Sequence, residues 1–163
     1  MRRMSLGAFL GLAVLLIAMS RYEKSPPVAP MVKTRYFGTT VTPMDHEASD
    51  TFVRPVYVDG GWVGAAGTGG SSVGGALSLP APWHSGLTVR VKWRRCEPYG
   101  KNCRWTEKHA LVHPYDKSGG TNVHILENDD VLIIPTLLDP RHPDYPGPLY
   151  PDKDFYSKKG ISK

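Results

Sequence analysis

The sequence predicts an all-β protein: a small antiparallel β-sandwich of about seven or eight strands, preceded by an apolar N-terminal helix and followed by an extended, proline-rich tail. Three observations point there. Glycine (17) and proline (15) make up about a fifth of the 163 residues, which suits many tight turns and few helices. Short segments alternating apolar and polar residues recur at intervals of about 8–12 residues. Past residue 20, no segment repeats its apolar residues with the period of a helix.

The N-terminus reads differently. Arg2 and Arg3 precede an uncharged run, Met4 to Met19, rich in Leu, Ala, Val and Ile. That run is long for the apolar core of a secretory signal and short of the ~20 residues that span a bilayer. Two readings stay open. One is a signal peptide cleaved at Ala18-Met19-Ser20; the other is an uncleaved inner-membrane anchor through residues 4–20. Both place residues 21–163 in the periplasm. No cysteine follows the run, so there is no lipid-attachment site. The expected organisation is a leader (1–20), a proline-rich linker (21–33), a sandwich domain (34–138) and a Pro/Tyr-rich tail (139–163). There are 20 basic residues against 15 acidic ones, and setting Arg2 and Arg3 aside leaves an excess of three. So mild a charge gives no reason to expect nucleic acid as a partner.

Within 34–138 the elements follow in order. "TRYFGTTVT" (34–42) reads as a first strand and "MDHEASD" (44–50) as a polar loop. In "FVRPVYVDG" (52–60), Val53 and Pro55 alternate with Arg54, Val56 and Val58; Pro55 implies an edge strand or a bulge. Asp59-Gly60-Gly61 is a hairpin turn with "WVGAAG" returning. "VGGALSLP" reads as a strand ended by Pro80, and "APWHSG" turns into "LTVRVKWR". There Leu87, Val89, Val91 and Trp93 face one side and Thr88, Arg90, Lys92 and Arg94 the other. "NVHIL" and "VLIIPT", joined by "ENDD", form a last hairpin. From Leu138 onward the prolines favour a polyproline conformation.

The only cysteines, Cys96 and Cys103, flank "EPYGKN", whose Pro98 and Gly100 are turn residues. If they face each other, Arg94 lies opposite Trp105, Val89 opposite Ala110 and Leu87 opposite Val112. The last two pairs put apolar residues on one face. An oxidising compartment then favours a disulfide closing this hairpin. Two alternatives compete: free thiols, or zinc bound by Cys96, Cys103, His109 and His113. Against zinc, the two histidines sit on an expected strand, about 13 Å apart at roughly 3.3 Å per residue, and the cysteine spacing is too long for a zinc knuckle.

Motifs for catalysis are weak. Gly70-Ser71-Ser72-Val73-Gly74 matches a nucleophile elbow, but no strand precedes it and no helix follows. The same loop lacks the Gly-Lys-Ser/Thr of a phosphate-binding loop. Asp129 and Asp130 sit at an expected hairpin tip, and Asp45 and Glu47 in a loop, too sparse for calcium. His46, His84, His124 and His142 are dispersed, which suits surface or hydrogen-bonded histidines. The expectation is a non-enzymatic protein without cofactor or metal. In the tail, Arg141, His142, Asp144, Tyr145 and Tyr150 interleave charge, aromatics and proline. Either the tail straps back along the sandwich, or with Trp83 and His84 it forms a surface for a protein partner.

"LSLPAPWHSGLTVRVKW", "NVHILENDDVLI" and "PRHPDYP" together resemble a bacterial envelope family, domain of unknown function 3304. The resemblance spans about residues 50–146, through Leu79-Pro80, Trp83, Gly86-Leu87, Trp93, Val123-His124 and His142-Pro143-Asp144-Tyr145-Pro146. Many members carry adjacent cysteines before the Leu-Pro pair; here Gly75-Ala76-Leu77 stands there, so the Cys96–Cys103 pairing is not inherited from the family. Members often accompany type VI secretion phospholipase effectors. The resemblance therefore implies an immunity-type protein that binds and blocks a secreted lipase. The alternative is an envelope module recognising glycan or lipid head groups through Arg90, Lys92 and Arg94.

Overall fold

The computed structural model describes residues 33–66 and 75–149. The expected leader helix, Ser71, Ser72 and Tyr150 lie outside the described residues. The chain divides between Lys33 and Thr34, and all strands below belong to the second part.

Among the described residues there are eight strands: β1 (Arg35–Asp45), β2 (Phe52–Val58), β3 (Gly61–Ala66), β4 (Ala76–Ala81), β5 (Thr88–Glu97), β6 (Lys101–Leu111), β7 (Gly120–Ile125) and β8 (Val131–Thr136). They form two four-stranded sheets, ordered β4-β1-β7-β8 and β3-β2-β5-β6. Val41, Leu79, Val123 and Ile133 from the first sheet share one core with Val56, Val63, Val91 and Trp93 from the second. Trp93 heads the fully buried side chains, and burying an aromatic of this size dominates core energetics.

Local chemistry accounts for the hairpins. Asp59 (φ 47°) and Gly60 (φ 84°) both take positive φ, the requirement of a tight hairpin turn that matches strand twist. Asp59 Oδ1 then accepts the backbone N–H of Arg90 at 2.8 Å, tying the turn to β5. The β5–β6 register is the expected one, with Val89 opposite Ala110 and Arg94 opposite Trp105. Cys96 and Cys103 are bonded to each other across a short 3-10 turn, Pro98–Gly100. Neither sulfur is therefore left as a thiolate for zinc. The β7–β8 hairpin also forms, pairing Ile125 with Val131.

Four expectations are corrected. The sandwich is not purely antiparallel: β1 and β7 pair in parallel, Thr40 with Gly120 through Asp45 with Ile125. Parallel neighbours come from distant segments and leave no turn signature in sequence. Second, of the two placements Pro55 allowed, the bulge holds and the edge does not: β2 is an inner strand, with a register shift between Val53 and Val56. That irregularity turns Val53, Val56 and Val58 inward together, where simple alternation would split them. Third, Met44 and Asp45 are the buried end of β1, outside any loop. Fourth, residues 139–149 do not run as polyproline. They form successive turns, with His142 N–H bonded to Asp139 O (2.8 Å) and Tyr145 N–H to His142 O (3.0 Å).

The sheets also meet at one edge. Past β6, Val112 bridges Ile133 of β8 in parallel, and Trp83 Nε1 donates to Val112 O at 3.0 Å. Tyr115, packed edge-on against Phe37, donates its hydroxyl to Pro80 O at 2.6 Å.

Candidate interaction site

Three regions carry the unusual side chains. The first closes one end of the sandwich. Arg95 continues the inward phase of β5 after Trp93 and is 4% exposed. Its Nη1 donates to both carboxylate oxygens of Asp45, at 3.0 and 3.2 Å. Its Nε lies 3.6 Å from Asp129, and Asp129 also meets Arg104 at 2.6 Å. Asp45 thus neutralises the almost fully buried Arg95 guanidinium, as a buried charge requires, and Asp129 links it to Arg104. Next to Asp45, His46 Nε2 is 2.7 Å from His124 Nδ1, and His124 Nε2 is 2.5 Å from the Tyr145 hydroxyl. Burial, with help from nearby His46, pushes His124 down to about 3, so its ring is neutral at physiological pH. Burial above all pushes the Tyr145 phenol up to about 12, so it keeps its proton. A chain of hydrogen bonds from His46 through His124 to Tyr145 results, and it docks the tail.

That docking is the reason β7 is buried on both faces. Val123 and Ile125 join the shared core, while His124 and Asn122 point the other way. The turns around Tyr145 cover them. Gly147 sits so close to Ile134 that a Cβ there would overlap its Cδ1 and meet Tyr145 Cε1 at 3.0 Å.

The second region is an apolar groove of about 410 Å³ where the strap meets the sheet edge. Trp83, Leu111, Pro114, Leu132, Ile134 and Pro146 line it. Leu111 is 66% exposed and Leu132 39%. Exposed apolar surface gathered in a concavity makes this groove a candidate contact surface.

The third region is the outer face of the second sheet. Trp62, Tyr57, Lys92 and Glu107 stand in one row across β3, β2, β5 and β6. Arg90 and Trp105 flank it.

The residues singled out from sequence divide among these regions. Trp83 is half-buried against the core and lines the groove, and exposed His84 follows it. Pro146 lines the same groove, so the Trp83 loop and the tail do share one surface. Arg141, His142 and Asp144 are exposed on the preceding turns, where His142 Nδ1 accepts the Asp144 N–H at 3.1 Å. Tyr145 is corrected: it is buried and bonded to His124, so its ring anchors the strap and is not open to a partner. Sequence reasoning missed Arg95, Asp45 and Asp129 as a network, and Leu111 and Leu132 as groove residues. The period of β5 placed Arg95 inward and so held a signal; nothing local marked Asp129. Among the described residues no three His, Cys, Asp or Glu are grouped to hold a metal. Nor, among those residues, is any helix long and apolar enough to cross a membrane.

By fold, then, this is a two-sheet β-sandwich with an ionic end and a strapped outer face. The chain belongs to the family described as protein of unknown function DUF3304, whose profile matches residues 47–133. That segment holds the Trp83 loop, Arg95, His124 and Asp129; β1 and the strap, with its His142–Pro146 block, lie outside it. No curated protein and no solved structure matches the chain.

Proposed function

We propose that this protein is an exported, non-enzymatic binding protein of immunity type, which blocks a type VI secretion phospholipase effector by covering its surface. The observation that carries the reading is the apolar groove between Trp83, Leu111, Leu132 and Pro146. A partner side chain inserted there would remove apolar surface from water at about 25 cal/mol per Å². The buried polar groups support a contact role too. Arg95, Asp45, His124 and Tyr145 are engaged with one another inside the fold, as structural groups are. The Cys96–Cys103 disulfide suits an oxidising periplasm, reached through a cleaved leader or with residues 4–20 left in the inner membrane.

The test mixes the purified protein with a type VI secretion phospholipase effector, the proposed partner, and follows lipid hydrolysis. Leu111→Arg changes an exposed side chain and leaves the core alone. It is expected to weaken inhibition by about tenfold or more, the scale of a hot-spot residue. Full-strength inhibition by that variant removes the groove from the account. A second reading, an envelope module for glycan or lipid head groups, is favoured by the cationic, aromatic outer face around Arg90, Lys92 and Arg94.

A further inference from the structure

We infer that the outer face of the β3-β2-β5-β6 sheet is a binding site for a carboxylated oligosaccharide. The inference rests on the second of the two readings above and names its ligand class; it is independent of the groove.

Antiparallel partners point to the same face, so Trp62, Tyr57, Lys92 and Glu107 form one continuous outward row. In the neighbouring row Arg94 stands opposite Trp105. Trp62 and Trp105 are both more than half exposed, at 57% and 51%. Tyr57 and Trp105 rings lie 6.3 Å apart, inclined by 36°, and form two walls of a shallow groove of about 340 Å³. That volume falls within the range of about 300–1,000 Å³ usual for small-molecule sites.

Charge selects the guest. Arg90 and Lys92 both reach toward the single carboxylate of Glu107, each at 3.9 Å, and all three side chains are nearly half exposed. Pairs this long in water contribute little to the fold. Lys92 Nζ lies 5.2 Å and Arg94 Cζ 5.8 Å from the Trp105 ring centre, so cations already crowd the indole. Three cations against one carboxylate leave a positive field that favours an anion.

Glu107 decides which anion. A phosphate-coated lipid surface or a nucleic-acid backbone presents acceptors and negative charge, and would be repelled by a carboxylate in the middle of the site. A sugar acid presents both kinds of group. Its carboxylate meets Arg90 and Lys92, its hydroxyls donate to Glu107, and the apolar C–H face of its ring packs on Trp105. The Trp105 indole, the cations and the acid lining the groove are then all used by one ligand.

The test titrates the full chain, by calorimetry, with oligogalacturonate, with neutral malto-oligosaccharide, and with phosphatidylglycerol vesicles. Binding of oligogalacturonate alone is expected, weakened about tenfold by Trp105→Ala, the scale of one lost ring contact. The sign of Glu107→Gln separates the sources. Weaker binding supports a hydroxyl-accepting carboxylate. Tighter binding overturns the proposal, because it means that only net charge matters. Vesicle binding without oligogalacturonate binding overturns the saccharide assignment but leaves the head-group reading standing, whereas no binding to any probe overturns both. A thermal melt of Trp105→Ala matching the parent confirms that its loss is one of contact.

Discussion

At one end of the sandwich Asp45, Arg95 and Asp129 face one another almost out of reach of water. On the outer face of the second sheet Glu107 lies between Arg90 and Lys92, all three nearly half exposed to water. Both places combine carboxylates with cations, yet the distances differ: 3.0 Å for Arg95–Asp45, 3.9 Å for either surface pair. The short pair lies where desolvation makes an unpaired charge very costly, so each partner is held by the other. The long pairs lie where water and salt screen them, so the side chains stay available to a ligand. Burial separates the residues that hold the fold together from those left facing solvent.

The largest effect should come from breaking the buried pair. Asp45→Ala strands Arg95 beside the core and is expected to cost about 3–5 kcal/mol in urea unfolding. A loss no larger than that of a surface change would erase the contrast. The covalent staple comes next. Replacing Cys96 and Cys103 together by Ser should cost about 2–3 kcal/mol by loop-closure entropy, checked against the parent chain under oxidising conditions. Gly147→Val tests the strap, since the new side chain must collide with Ile134. We expect a loss of about 1–3 kcal/mol, together with exposure of the Tyr145 phenol to nitration.

Acid titrates the same region. His124 is held at about 3 when folded, against an ordinary value of 6.5 that the unfolded chain recovers. The unfolded state therefore takes up the proton first. Stability is complete above about pH 6.5 and falls as the pH drops toward 3. His124→Gln should flatten that part of the profile; an unchanged slope would show that other groups govern it. Smallest of all, Glu107→Gln should move stability by no more than about 0.5 kcal/mol.

Much of this fold was legible because its chemistry is local. β5 alternates cleanly and meets β6 in a turn with Pro98 and Gly100, so the register from Thr88–Leu111 to Arg95–Arg104 was legible. The parallel pairing of Thr40 with Gly120 could not, because eighty residues separate the strands and no turn joins them. Pro55 marked an irregularity in β2 without saying which way the valines would turn. Half of the apolar groove was visible as Trp83 and the tail. The other half, Leu111 and Leu132, sits at exposed phases of strands where a single apolar residue draws no notice. Tyr145 illustrates the opposite failure: an aromatic in a proline-rich segment reads the same whether it meets a partner or its own sheet. Only His124 beneath it decides.

The most direct test of the contact account is hydrogen exchange on the protein with and without the proposed partner, a type VI secretion phospholipase. The account predicts new protection at residues 83–87, 111–114 and 141–147, with β2 and β5 on the far sheet unchanged. Protection confined to the Tyr57–Lys92 face, or none at all with the enzyme fully active, would contradict it.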